Sequence, residues 1–501
     1  MRPATLTDRR DADRQPTHDR GDLVVLGVEA ALLLAAVAVG AVLNHRGVGL
    51  HADAAPLYAT WQPHVGWGTP VAVLVALAVL GPGTRWARTA RWGPLLAAGW
   101  LSATAWTLAL ALVDGWSAGF TRRLTEQAEY LHEVPRVTDV PRMLAGFADR
   151  ILDFQPDSWS THTAGHPPGA LLVFVGLDRI GLGGGTAAAL ACVLVGATVT
   201  VSVPAVLRAL GAADAARTVL PFLVLLPGAV WVGASADGLF TGVVAAGLAL
   251  LVVRGPAVAL AGGLLLGCAL YLSYGFVLVG PLALAALALR PAGRARALLA
   301  AAVGVGTVAV AFTLAGFAWW EGYDRVVQRY YQGWAADRPY AYWIWANLAA
   351  LLLSAGPVLG PAVRRALLAA RAGRRGSTAS PADRSGATAV RADRWGAAAS
   401  RADRWDATAD GARAGRWRWS LPADRVRTLG PTVALPAAAV LAVVAADLSG
   451  MSKAEVERIW LPFVVWALVA TAHLPAPHRR WWLAGQAATA LAVNHLLFTV
   501  S

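Results

Sequence analysis

Apolar residues arrive along this chain in blocks of about twenty, the length at which a helix crosses the roughly 30 Å hydrocarbon core of a bilayer. Thirteen such spans are predicted, near residues 23–43, 69–82, 94–113, 186–207, 216–232, 238–253, 256–272, 275–289, 297–318, 342–362, 432–446, 459–474 and 480–499. The fold class this predicts is an all-α polytopic membrane protein. Polar stretches divide it into a tail at 1–22, spans one to ten within 23–362, an insert at 363–428, and spans eleven to thirteen within 429–501. The first span is too long and too late for a cleaved signal peptide and reads as a signal anchor.

The arginines between the spans predict an orientation. Arg85, Arg88, Arg91, Arg208, Arg217, Arg254, Arg290, Arg294, Arg296, Arg479 and Arg480 all fall on one side if the N-terminus is cytoplasmic and the C-terminus external. That parity requires residues 169–181, which hold Asp178 and Arg179, to lie at the interface instead of crossing. Three polar stretches then face outward, at 114–168, 319–341 and 447–458. In the first, Glu126 to His132 and Pro141 to Phe154 have helical spacing with apolar faces, as expected of helices lying on a membrane surface.

Composition sharpens this picture. The 501 residues are 57% hydrophobic and 15% charged, with a mean hydropathy of +0.52. Soluble chains average roughly 25% charged. Disordered, disulfide-stapled and nucleic-acid-binding classes are thereby excluded. Of the net charge of +13, the stretch from Arg364 to Thr428 supplies fifteen Arg against six Asp, which places the insert in the cytoplasm. The insert repeats a ten-residue unit at Arg391 and Arg401, with a weaker copy at Pro381, and is too polar to bury a core. Lys453 is the one lysine. Arg in its place, with abundant Ala, Gly and Val, is the signature of a GC-rich genome such as an actinobacterial one. Cys192 and Cys268 sit in apolar blocks and read as small core residues.

The candidate chemistry clusters in the outward stretches. Asp114 closes the third span. Glu126 and Glu129 follow it in the loop. His162-Thr-Ala-Gly-His166-Pro-Pro-Gly169 ends the loop, with Pro167 forcing His166 to be extended and Pro168 fit to start a helix. Its two imidazoles suit a metal, a phosphate or neither. Asp237 stands just outside the sixth span, where it can cap a helix, bind a hydroxyl or hold a divalent ion. Glu321 and Asp324 lie in an aromatic-rich stretch suited to a membrane interface. Arg338 and Arg458 offer planar forks for phosphate, or else pair with Asp337, Glu455 or Glu457. No P-loop, zinc-protease motif or cysteine cluster is present.

These pieces resemble the GT-C superfamily of polyprenyl-phosphate-dependent membrane glycosyltransferases, including its protein mannosyltransferase and aminoarabinose transferase branches. The His166-Pro-Pro-Gly169 step closing a large loop is similar to the family's. So are Pro227 to Trp231 leading into Ser235-Ala-Asp237-Gly-Leu-Phe240, and Glu455 to Phe463 with its Arg458 before an apolar residue and Pro462. The likeness runs from about residue 94 to 474. The first two spans and the insert are additions to it, and the family's acidic pair becomes Asp114-Gly115.

The resemblance implies inverting transfer of a sugar from a polyprenyl-phosphate donor to a glycan, lipid or protein acceptor on the outer face of the plasma membrane. Asp114 would be the general base, with Glu126 and Glu129 as substitutes. Arg458, Arg338 and His166 would hold the donor phosphate, and His162, Asp237, Glu321 and Asp324 would contact substrate. A divalent cation, Mg or Mn, is an open option, and nucleic acid is no partner. The rival expectation is a polytopic transporter or lipid-linked-precursor flippase. Against it, the spans hold few ionisable residues, which transporters place at mid-membrane. The two readings differ in whether Asp114, His166, Asp237 and Arg458 converge on one external cavity or a polar cavity runs to mid-membrane.

Overall fold

The structure, a computed structural model, describes residues 20–233, 235–378 and 422–499. The polar tail up to residue 19 and the insert's ten-residue repeats lie outside the described residues. Helices dominate what is described. A single antiparallel pair of short strands joins Ala59–Trp61 to Leu497–Thr499, with Ala59 opposite Thr499. The last predicted span therefore ends as a helix at Leu496 and finishes as a strand.

The all-α expectation holds, and the count of thirteen spans does not. Among the described residues six helices are long and apolar enough to cross a membrane: Arg20–His45, Gly68–Thr89, Trp92–Ala111, Gly185–Ala209, Arg294–Leu314 and Pro431–Leu448. A seventh is counted if Tyr340–Ala355 and Leu359–Ala372 form one span, but they meet at 95°. Pro357 follows Gly356, whose φ of +85° only glycine adopts without strain, so the helix must stop there. Four more apolar helices, Asp237–Val252, Pro256–Leu270, Tyr274–Leu289 and Leu461–His473, are shorter. At 1.5 Å per residue none spans the full hydrocarbon core. Apolar run length cannot separate a lipid-facing span from a helix buried among its neighbours, and Asp237–Val252 is of the second kind, with Val244, Ala245, Leu248 and Leu251 almost wholly buried.

Helix breaks follow proline. Pro82 sits in a π-helical turn, Val79–Gly83, that absorbs its missing N–H within Gly68–Thr89. Pro168 starts the helix Pro168–Arg179, whose 12 residues are too few to cross. The long loop is less helical than its spacing predicts. Glu126 and Glu129 are extended, and only Tyr130–His132 makes a 3₁₀ turn. Tertiary packing overrides the local pattern, because Tyr130 is drawn inward to stack on Phe174 and His162. Further along, Pro141 to Phe154 reduces to a short helix, Val140–Ala145, and a 3₁₀ turn, Ala148–Arg150. Cys192 is buried as expected, whereas Cys268 is exposed.

The loop is a packed unit. Trp159 is buried against Phe147, Arg150 lies 3.4 Å over the Trp159 ring, and the Trp159 indole donates to the Phe147 carbonyl. Buried Glu133 accepts from Ser160 N at 2.9 Å and pairs with Arg136, which ties residues 129–133 to 160–163. The Trp319–Tyr330 helix joins this end of the bundle through an Arg329–Asp153 ion pair. At the other end, Arg208 and Arg217 both lie over the Trp92 ring, and Arg290 donates to the Leu251 carbonyl. The Asp237–Val252 helix runs between the two ends.

Candidate functional site: a buried acid, histidine and arginine cluster

Four chain segments meet at the N-terminal end of the Asp237–Val252 helix. Arg458, in the short helix Val456–Ile459, donates from Nη1 to Asp237 at 2.8 Å. Its Nη2 donates to Glu455 and to His162 Nε2, the latter at 3.2 Å. His162 Nδ1 lies 2.7 Å from Glu129. An unbroken chain of contacts thus runs Glu129, His162, Arg458, Asp237.

Local backbone aims these groups. Ala454 and Glu455 both carry positive φ, 70° and 61°, in the left-handed region that costs a side-chain-bearing residue about 1 kcal/mol or more. Surrounding bonds impose it. Lys453 N donates to the Tyr330 hydroxyl, Ala454 N donates to Asn347, and Asn347 donates in turn to Asp447 and the Ser452 carbonyl. The reversal turns Glu455 back onto Arg458. In the His motif, His166 Nδ1 must carry the proton, since its partner 2.8 Å away is the His162 carbonyl. Nε2 is left with the lone pair, and burial lowers the His166 pKa, favouring that neutral form.

The charges are interdependent. Burial opposes ionisation of Arg458, but Glu455, Asp237 and Glu129 outweigh it and raise its pKa. Burial would raise the Glu455 pKa, yet Arg458, His162 and Arg338 bring it below its ordinary value. Burial opposes a charge on His162, and Glu129 overcomes it and raises the pKa. Glu457 is the exception. Burial, with Glu455 adding to it, pushes its carboxyl up to about 7. Arg458 Nε, Glu457 Oε1 and Trp460 Nε1 are all buried without a hydrogen-bond partner among the described residues. Buried polar atoms are satisfied in the great majority of cases, and three orphans in four consecutive residues make this the candidate site.

Asp114 belongs to a second cluster at the same end. His64 Nε2 lies 2.6 Å from its Oδ1 and Arg123 Nη2 lies 3.6 Å from its Oδ2. His64 Nδ1 also lies 2.6 Å from the Gln62 carbonyl, which can only accept. Both ring nitrogens therefore face acceptors, and the Asp114–His64 pair must hold a second proton between them. Burial raises the Asp114 pKa despite Arg123 and His64. Arg123 in turn donates to the Ala118 and Thr499 carbonyls and lies over Phe498, which fastens the terminal strand.

Of the residues nominated from sequence, the structure brings Glu129, His162, His166, Asp237 and Arg458 together. Asp114 makes no contact with that set among the described residues. Glu126 is exposed beside Arg123. Glu321 and Asp324 lie on the exposed side of the Trp319–Tyr330 helix, where Asp324 accepts from Gln328. Arg338 is adjacent but fully engaged at each nitrogen, donating to the Leu50, Lys453 and His51 carbonyls, with Glu455 at 3.9 Å. Asp337 pairs with His51 instead. His64 and Tyr130 were not singled out by sequence reasoning. No local signal marks a lone histidine that pairs with a residue 50 positions away.

Among the described residues no three of His, Cys, Asp or Glu are placed to hold a metal ion. Chemically, the cluster offers a carboxylate, a neutral imidazole and a rigid guanidinium with an unpaired buried N–H. No family model matches the chain, and neither a curated protein nor a solved structure gives a match.

Proposed function

We propose that this chain is a membrane glycosyltransferase, moving a sugar from a polyprenyl-phosphate donor to a glycan, lipid or protein acceptor at the outer face of the plasma membrane. The observation that carries this reading is the Glu129, His162, Arg458, Asp237 cluster, with Arg458 and Asp237 buried and the other two partly so, and with orphaned polar atoms beside it, gathered at the end of the bundle away from most of the interhelical arginines. In this reading an acceptor hydroxyl gives its proton to Glu129, whose second oxygen has no partner among the described residues. The hydroxyl oxygen attacks the anomeric carbon from the face opposite the phosphate. The bond from that carbon to the phosphate oxygen breaks, and the phosphate leaves with the electron pair. His162 holds Glu129 in place, and Asp237 and Arg458 orient each other.

The leaving phosphate needs positive charge. Glu129, Asp237 and Glu455 together outnumber Arg458 and Arg338, so the phosphate must displace a carboxylate. Glu455 is the exchangeable one, being the most exposed of the three and held on strained backbone. Its departure frees Arg458 Nη2 beside Nε, which together form the planar fork that phosphate oxygens match. The packed 114–168 loop would exclude water, whose attack on the donor competes with transfer.

The test is to incubate the purified full chain with polyprenyl-phosphate sugars and score release of polyprenyl phosphate. Release that depends on an added acceptor supports the assignment. Movement of intact donor across vesicles without release would establish a flippase in its place.

A further inference from the structure

At the opposite end of the Asp237–Val252 helix a cavity of about 540 Å³ is lined by Arg254, Arg290, Arg296, Val252, Pro256 and Ala297. Arg290 is 5% exposed, with Nε donating to the Ala292 carbonyl at 3.0 Å and Nη1 to the Leu251 carbonyl. Its Nη2 has no partner among the described residues. None of the three arginines makes an ion pair there either. Three arginines line one concavity with no carboxylate among the lining residues, two of them exposed and the third held by backbone carbonyls. Such a grouping of permanent cations is favourable around an anion.

Two helices begin at the same cavity, Pro256–Leu270 and Arg294–Leu314, with Gly255 and Gly293 in its wall. Their first-turn N–H groups have no partners within the helix, and both dipoles present their positive ends. The anion must also tolerate an apolar wall. Directly below, the Arg294–Leu314 helix turns Leu298, Leu299, Val303 and Val310 outward, the surface expected of a helix facing lipid tails. A free phosphate would use the arginines and ignore this surface, whereas a lipid uses both.

We propose that this cavity binds the phosphate-bearing headgroup of an anionic membrane lipid, with its acyl chains lying along the outward face of the Arg294–Leu314 helix. Basic pockets between helix ends at a membrane surface select such headgroups over zwitterionic ones. The site is independent of the proposed transferase chemistry, since the two lie at opposite ends of one helix.

The test uses the detergent-solubilised full chain, titrated with phosphatidylglycerol or phosphatidylcholine and read by native mass spectrometry. Arg254 and Arg296 are exposed, so Arg254→Gln with Arg296→Gln should leave the fold intact. A control pair, Arg85→Gln with Arg91→Gln, removes the same charge elsewhere. The expected result is preferential retention of phosphatidylglycerol by the parent and the control, weakened about tenfold in the cavity variant. Equal retention of the two lipids, or an unaffected cavity variant, overturns the proposal. Inorganic phosphate competing as well as phosphatidylglycerol does so too, because the acyl chains would then contribute nothing.

Discussion

Two carboxylate, histidine and arginine clusters sit at one end of this molecule, and they handle protons in opposite ways. In the Asp114 cluster, His64 is flanked by two acceptors, so the pair is complete only with an added proton. In the Glu129 cluster, His162 Nε2 accepts from Arg458, which leaves Nδ1, 2.7 Å from Glu129, as the one position that carries a proton. The first cluster is closed on itself and fastens the terminal strand through Arg123. The second leaves Arg458 Nε, Glu457 Oε1 and Trp460 Nε1 unsatisfied. Identical residue types thus serve as a clasp in one place and as an incomplete site in the other, and the hydrogen-bond balance distinguishes them where residue identity does not.

The largest effect on stability is expected at Arg458. Replacing it with Ala strands buried Asp237 without its cation, and a loss of about 3–5 kcal/mol should appear as a lowered melting temperature in detergent. Arg458→Lys should restore part of it, because an ammonium supplies charge without the fork.

Next comes a pH effect at Glu457. Its folded pKa is raised to about 7 from 4.5, so the native state keeps a proton that the unfolded chain releases. Stability from this group is therefore lost as pH rises from about 4.5 to 7, by about 3 kcal/mol, and stays flat above. Glu457→Gln mimics the protonated form. It should match the parent at pH 4.5 and exceed it at pH 8 in thermal melts across that range.

Arg123→Ala should cost less, about 1–3 kcal/mol, since it leaves the Thr499 carbonyl and Asp114 without their cation. Limited proteolysis should then clip the terminal strand sooner. The smallest effect is expected for Asp114→Asn, about 1 kcal/mol or less, because the amide oxygen can still accept from His64 and Arg123. A loss above 3 kcal/mol there would show that the two clusters do not differ as argued.

Much of this was legible in the sequence, for identifiable reasons. Membrane character and helical class follow from block length. The convergence of His162, Asp237 and Arg458 was foreshadowed by motifs that place each at the edge of an apolar block. Glu455 was visible only as a pairing partner three residues from Arg458. The span count misled because a 16-residue helix such as Asp237–Val252 is equally apolar whether lipid or protein surrounds it. Glu126 to His132 misled because helical spacing says nothing of Tyr130 being pulled inward. Asp114 drew attention by its position at a helix end, while the histidine and arginine that occupy it come from residues 64 and 123, and pairings of that range leave no local trace.

The central claim is that the reactive carboxylate belongs to the second cluster. Single-turnover release of polyprenyl phosphate, measured for Glu129→Gln and Asp114→Asn beside the parent chain, tests it most directly. The account predicts a fall of roughly two to four orders of magnitude for Glu129→Gln with donor affinity nearly unchanged, and a change of less than about threefold for Asp114→Asn. The reverse pattern, with Asp114→Asn inactive and Glu129→Gln turning over at the parent rate, would contradict it.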